Sequence, residues 1–523
     1  MKKIFIYSLI LISLFEVSSC GKLDLAPEDY YASGNFWKNA AQVDGAMTGL
    51  HAQLRDYQFT FYIFGEMRGG LLKTGTGATG TSSLNSGSYI TQDLRESNPG
   101  VSSWGQLYRA LVQVNNFIYQ VENNASFLLD AQKSYYLGQA YGLRAFYYFQ
   151  LARAYGRVPL VIQPTVVVNT PKSQTEAFVP RSKTEKETFD LIKSDIDKSI
   201  TNFNGDYTTK ANKGQWSLAA TQMLKTEVYL WTAKVNMDNA APANTVADLA
   251  TARSAVEDVI PRYSLQPSFA DVFNYNKKGN SEIIFALRYL QGEATNNFGQ
   301  FLYAQADAMG SFVDKNGVAF SGDPLNIAGG GSILRYEYTY NLYKQYASGD
   351  QRADLTFFPI YKKPVSNANG YILMKKFIGT VVNNNRSFSD DVPVYRLAEA
   401  YLLLAEIKNK QGQDPGNEVN IVRKRAFGGA IPAGQEFVNG TFEQNELAIF
   451  WERTKELVGE GKRWYDLRRM QDANGKPLAF RTDLPLVGVL NEATEKHKLL
   501  LPIDRSTLNQ DETLEQNPGY PGT

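Results

Sequence analysis

The sequence is poor in the residues that most protein chemistry needs. Its 523 residues include one cysteine, Cys20, and two histidines, His51 and His497. A single thiol excludes an internal disulfide. Two distant histidines, without cysteine or carboxylate partners at ligand spacing and without a His-Glu-x-x-His helix, exclude the usual zinc sites. No Gly-x-Ser-x-Gly elbow occurs, which removes the sequence sign of an α/β-hydrolase nucleophile. An excess of one charge is missing too. Lys+Arg number 54 against 53 Asp+Glu, a net charge of +1, and no basic run reaches five residues, so a nucleic-acid partner is excluded. Gly75-Thr76-Gly77-Ala78-Thr79-Gly80 matches the dinucleotide fingerprint by letter. The residues after it, Thr81 to Gly87, cannot start the helix whose N-terminus would hold a pyrophosphate, so no cofactor is expected.

What is present begins with an export signal. Lys2 and Lys3 precede an apolar run from Ile4 to Phe15, followed by Val17-Ser18-Ser19-Cys20. The run is shorter than the roughly 20 residues of a spanning helix, and small residues before a cysteine form a lipobox. Residues 1–19 are therefore expected to be a signal peptide, Cys20 the acylated new N-terminus, and residues 20–34 a tether. No later segment is apolar for long enough to cross a bilayer, so the acyl chains are the expected membrane anchor.

Helical spacing then dominates. It predicts helices from near Asn35 through Leu54, through Trp104, Leu107, Leu111, Val114 and Ile118, and from Leu137 to Tyr155, closed by Gly156 and Pro159. Others fit Phe189 to Ile200, Leu218 to Trp231, and Thr251 to Val259. Paired helices with small residues at their contact faces predict a mostly α, tetratricopeptide-like repeat scaffold over 35–261. Residues 262–390 are loop-rich, with short strand-like runs such as Glu282 to Leu290. A C-terminal helical region, 391–523, contains Tyr395 to Lys408, Pro415 to Arg425 and Phe442 to Met470, and ends in short strand and turn at Leu499 to Ile503. Residues 75–88 read as a flexible loop.

Aromatic residues make up 13% of the chain, with 31 Tyr and 29 Phe. Flat rings with a polar edge suit stacking on sugars, though most rings in a helical protein fill interfaces. Two segments combine rings with planar hydrogen-bonding groups. The first holds Tyr57, Phe59, Phe61, Tyr62, Glu66 and Arg68, with Asp93, Arg95 and Asn98 downstream. The second holds Tyr289, Asn296, Asn297, Phe298, Phe301, Tyr303 and Phe312. These are the candidate ligand-binding residues. Trp104 keeps the register of Leu107 and Leu111 and is expected in the core. Glu452, Glu456 and Glu460 stack at four-residue spacing beside Arg453, Arg463, Asp466 and Arg468. That mixture reads as a charged helix–helix network rather than the acid and base of a glycosidase.

Four blocks resemble the SusD/RagB family of outer-membrane nutrient-binding lipoproteins. They are Arg144-Ala145-Phe146-Tyr147-Tyr148 through Ala154-Tyr155-Gly156-Arg157-Val158-Pro159, then Asp391 through Glu406, then Trp451-Glu452-Arg453 through Arg469, and finally Leu500-Leu501-Pro502-Ile503 with Gln516-Asn517-Pro518-Gly519-Tyr520. The resemblance implies four tetratricopeptide-like helix pairs with an irregular region on one face. It implies a non-enzymatic role, in which oligosaccharide is captured at the cell surface and passed to a SusC-like TonB-dependent transporter, the lipid anchor facing the extracellular side. RagB-like members imply a peptide ligand instead. A surface glycosidase and a tetratricopeptide adaptor remain as rivals. The blocks are scaffold and carry no ligand residues, which the family draws from loops before the second helix and in the central insertion.

Overall fold

The computed structural model describes residues 36–75, 87–97, 104–164, 173–302, 306–326 and 334–520. The signal segment, the tether with Cys20, Asn98, Tyr303, most of the 75–88 loop and the side chain of Phe301 lie outside this description.

Helices α1 (Ala40–Asp56) and α2 (Gln58–Gly65) are separated only by Tyr57. There follow α3 (Gly105–Asn123), α4 (Asp130–Tyr155), α5 (Glu185–Phe203), α6 (Leu218–Lys234) and α7 (Thr245–Val259). Each packs on the next, α3 on α4 through α6 on α7, and α7 then packs on α8 (Leu397–Lys410). Helices α9 (Gly416–Ala426) and α10 (Phe442–Leu457) also pack on α8, and α11 (Arg463–Arg469) follows α10. Nearest-neighbour stacking of this kind is the tetratricopeptide-like architecture.

Local chemistry sets the starts of these helices. Asn39, Thr184, Ser217 and Thr441 each accept a backbone N–H of the first turn, at α1, α5, α6 and α10. The α4–α6 crossing depends on Gly142. A Cβ there would lie 2.0 Å from Trp216 Nε1, which donates to Thr221 Oγ1 at 2.8 Å. Across α4 and α5, Arg144 forks onto Asp195 at 2.7 and 2.8 Å.

Among the described residues, the central region and the segments flanking the scaffold form four antiparallel two-stranded sheets. The pairs are β1 (Leu72–Thr74) with β3 (Tyr336–Tyr338), β2 (Ile283–Leu287) with β8 (Val392–Arg396), β4 (Phe357–Tyr361) with β5 (Gly370–Met374), and β6 (Thr380–Val382) with β7 (Asn385–Ser387). Strand β8 runs straight into α8, so the insertion and the helical scaffold share one core.

Three expectations are corrected. The first helix begins at Ala40 rather than near Asn35. Phe442 to Met470 is not one helical stretch: α10 stops at Leu457, and Gly459 and Gly461, both at positive φ, turn the chain before α11. Leu499 to Ile503 is not a strand in a sheet. Lys496–Leu499 is a 3₁₀ turn, and the extended residues after it are tied to α4 by Leu501 N–H donating to Ala154 O at 2.8 Å.

Glu452 and Glu456 of α10, with Glu460 just beyond its end, enter a buried ion network. Glu456 accepts from Arg396 at 2.6 Å, from Arg352 at 3.0 Å and from Arg425, while Glu460 pairs with Arg396 and Lys376. Glu452 pairs with Arg352 at 2.7 Å and Arg423 at 2.8 Å. Burial opposes ionisation of Glu456, yet Arg425, Arg396 and Arg352 outweigh it and hold the carboxyl well below the usual range. Trp104 is 6% exposed and packs edge-on against Tyr155.

Candidate functional site

Residues 57–68 and 289–298 of the two nominated segments lie more than 200 residues apart, and the fold brings them together. Tyr62 of α2 meets Phe298 edge-to-face at 5.2 Å, Tyr289 OH donates to Arg55 O at 3.2 Å, and Asn297 N–H donates to Gln58 Oε1 at 3.3 Å. On the outside of this junction lies a cleft of about 600 Å³ between α1, α3 and the 288–297 loop. That volume is within the roughly 300–1,000 Å³ of small-ligand sites.

The floor is the face of α1 that carries Gly49, Ala52, Gln53 and Asp56, spaced at helical intervals of three and four. The small residues at 49 and 52 create the concavity, since even a Cβ on Gly49 would meet nothing within 4 Å. Gln113 of α3 forms one wall. The other is a turn in which Glu293 and Ala294 N–H both donate to Leu290 O. Arg55 reaches across to Glu293 in an ion pair, and Asp56 is exposed at the rim.

The loop is fixed from behind. Asn296 is 4% exposed, and its side chain is used up in holding the backbone: Nδ2 donates to Asp390 O at 3.3 Å and Oδ1 accepts Phe298 N–H at 3.1 Å. Tyr289 N–H donates to Asp391 Oδ1 at 3.1 Å. Burial raises the Asp391 carboxyl above its ordinary value, partly offset by Arg288 and Lys278. Burial likewise raises the Tyr289 phenol, which stays protonated as a donor.

The cleft offers the Arg55 guanidinium, which is paired with Glu293, the Asp56 carboxylate, amides from Gln53, Gln113 and Asn297, and a hydroxyl from Thr295. Planar bidentate groups of this kind match pairs of neighbouring hydroxyls. Of the residues nominated for ligand contact, Tyr289 and Asn297 line the cleft; Tyr289, with 2% of its surface exposed, presents no open ring face. Tyr57, Tyr62, Arg68, Asn296 and Phe298 are also buried, at 8, 2, 1, 4 and 1% exposure, and offer no ligand surface in this conformation. The cause is that residues 58–65 form a helix wedged against α4, with Phe61 edge-on to Phe146 at 5.3 Å and Tyr57 to Tyr147 at 6.1 Å. Arg68 lies over Trp464 at 3.8 Å and bonds Gln92 and Lys498 O. Phe59 is half-buried and stacked on Tyr62. Asp93 and Arg95 are exposed, pair with each other at 2.9 Å, and do not line the cleft.

Gln53, Arg55, Asp56, Gln113 and Thr295 were not nominated. The small-residue stripe of α1 ending in Gln53 and Asp56 was the signal that could have found the floor. Gln113 and Thr295 have no local signal, because only the packing of α3 on α1 brings them to the cleft.

Comparison with known proteins places this geometry in context. Residues 267–520 match a family model described as the SusD family, and residues 74–230 match one described as starch-binding associating with outer membrane. A solved SusD superfamily protein from Bacteroides fragilis is 38% identical, covers 93% of this chain and 100% of its own, and superposes with a TM-score of 0.84. NanU of Bacteroides fragilis is 32% identical, with coverage of 95% and 100% and a TM-score of 0.80. A SusD-like protein of Formosa agariphila is 26% identical, with 99% of each chain covered.

Proposed function

The chain belongs to the SusD family, and on that footing we propose that it captures a glycan at the outer-membrane surface and passes it, uncleaved, to a SusC-like TonB-dependent transporter. Acylation at Cys20 anchors it facing the medium. The observation that carries the binding role is the polar cleft, where the Arg55–Glu293 ion pair, the Asp56 carboxylate and three side-chain amides converge over a floor of small residues. Such groups bind hydroxyls by replacing water, and an open cleft lets the ligand leave again.

The glutamates that a glycosidase reading would use support the same conclusion. Glu452 and Glu456 are 1% and 0% exposed and each is paired with arginine, so neither reaches a glycosidic bond. Calorimetric titration of protein lacking residues 1–20 against oligosaccharides and oligopeptides, with product analysis, tests the proposal. Saturable glycan binding without product is expected. Binding of peptides alone, or any cleaved product, would overturn it.

A further inference from the structure

Residues 289–297 form an arch that is one wall of the cleft. Leu290, Gln291, Gly292, Glu293 and Thr295 are exposed along it, whereas Tyr289 and Asn296 are buried. The crown is tied to α1 by the Arg55–Glu293 pair at the surface, a weak tie beside buried contacts. The two buried feet therefore set the position of the wall.

Both feet stand on one strip of backbone, residues 388–391. Asn296 N–H donates to Phe388 O at 2.7 Å, and its Nδ2 donates to Asp390 O at 3.3 Å. Tyr289 N–H donates to Asp391 Oδ1 at 3.1 Å. Lys278, at the end of the 3₁₀ turn Tyr275–Lys277, joins foot and strip. Its Nζ donates to Tyr289 O at 2.6 Å and to Ser389 O at 2.5 Å. The turn is itself held by Asn280 Nδ2, which donates to Lys277 O at 3.1 Å, and the Tyr275 ring lies 4.1 Å from the ammonium.

Ion pairing does not account for this lysine. Its side chain is 11% exposed, and Asp391 Oδ1 lies 3.8 Å away, while both carbonyls are at hydrogen-bonding distance. The charge is spent on main chain rather than on a counter-ion, in bonds about twice as strong as neutral ones. We propose that Lys278, which does not line the cleft, is a positioning residue for the glycan site. Its ammonium locks the Tyr289 foot to the strip that carries the Asn296 foot, and so sets where Ala294, Thr295 and Asn297 meet the ligand. That consequence rests on the cleft being the glycan site; the lock does not.

Hydrogen–deuterium exchange of the mature chain, wild type against Lys278→Met, tests the lock without a ligand. Faster exchange is expected across 289–297, with α4 and α6 unchanged. Equal exchange across 289–297 overturns the proposal. Calorimetry tests the consequence, with the oligosaccharide that saturates wild type in the panel above as probe. Lys278→Met is expected to lose about tenfold in affinity, the result of about one molecule in ten holding the competent wall. The loss should overlap with that of Thr295→Ala, on the wall, and add to that of Gln53→Ala, on the floor. Unchanged affinity, or a loss that adds equally to both, overturns the positioning role. If Lys278→Met does not fold, Asp391→Asn keeps an acceptor for Tyr289 N–H while removing the charge beside Lys278, and the same two readouts decide. A wild type that binds no oligosaccharide refutes the cleft reading, and the exchange result still decides the lock.

Discussion

Glu456→Gln is the most informative single change in this scaffold. Glu456 is fully buried and joins three arginines from separate parts of the chain: Arg352 of the central insertion, Arg396 at the β8–α8 junction and Arg425 of α9. The glutamine keeps the volume but removes the charge that offsets those cations. Breaking a buried pair by neutralising one partner typically costs about 3–5 kcal/mol. Unfolding entropy near the melting point is about 2.1 cal/mol/K per residue, so a cooperative chain of 523 residues loses about 1 °C of Tm for each kcal/mol. The expected drop is therefore about 3–5 °C by differential scanning calorimetry. Asp190→Asn, which breaks the exposed Lys186–Asp190 pair, should move Tm by under about 1 °C and serves as the control. The wild type should also carry the signature of the carboxylate. Its folded pKa is depressed, so its stabilisation is full above the unfolded value near about 4.3 and is lost as pH falls below it. A Glu456→Gln protein melting within 1 °C of wild type at pH 7 would refute the idea that this network staples insertion to scaffold.

Other outcomes follow from the same geometry. Arg55→Ala removes the guanidinium that spans the cleft and should weaken glycan binding about tenfold by calorimetry, with Tm little changed because Arg55 is only paired at the surface. Gly142→Ala drives a methyl into Trp216 and should cost about 1–3 kcal/mol in urea unfolding, with glycan affinity intact in the folded fraction. His51 is a third case. Burial lowers its pKa to about 4, and the neutral ring donates from Nδ1 to Met47 O and accepts Trp216 N–H at Nε2. Its stabilisation is present above the unfolded value near about 6.5 and is lost as pH falls towards 4. NMR titration of the ring should give a midpoint near 4, and a midpoint above 6 would refute the burial that lowers it.

How far the sequence reveals such features depends on how local their causes are. Helix spacing, caps and Trp104's register are properties of a few neighbouring residues, and they identify the helical scaffold without knowledge of partners. The four-residue spacing of Glu452, Glu456 and Glu460 likewise announces a charged face, but its arginines come from positions 352, 396, 423 and 425 and only folding assembles them. The aromatic run from Tyr57 to Phe64 misleads for the same reason. Rings at nearly every second residue look like a surface platform, yet as one helix between α4 and the central insertion they are covered from two sides. Burial of a ring is decided by what packs on it, and nothing in the run itself encodes Phe146 or Phe298. The cleft follows the opposite logic. Its floor is legible as Gly49, Ala52, Gln53 and Asp56 on one face of α1, because a face of small residues ending in polar ones can be concave without help from elsewhere. Recognition surfaces of this kind are best sought where side chains are missing rather than where rings are abundant.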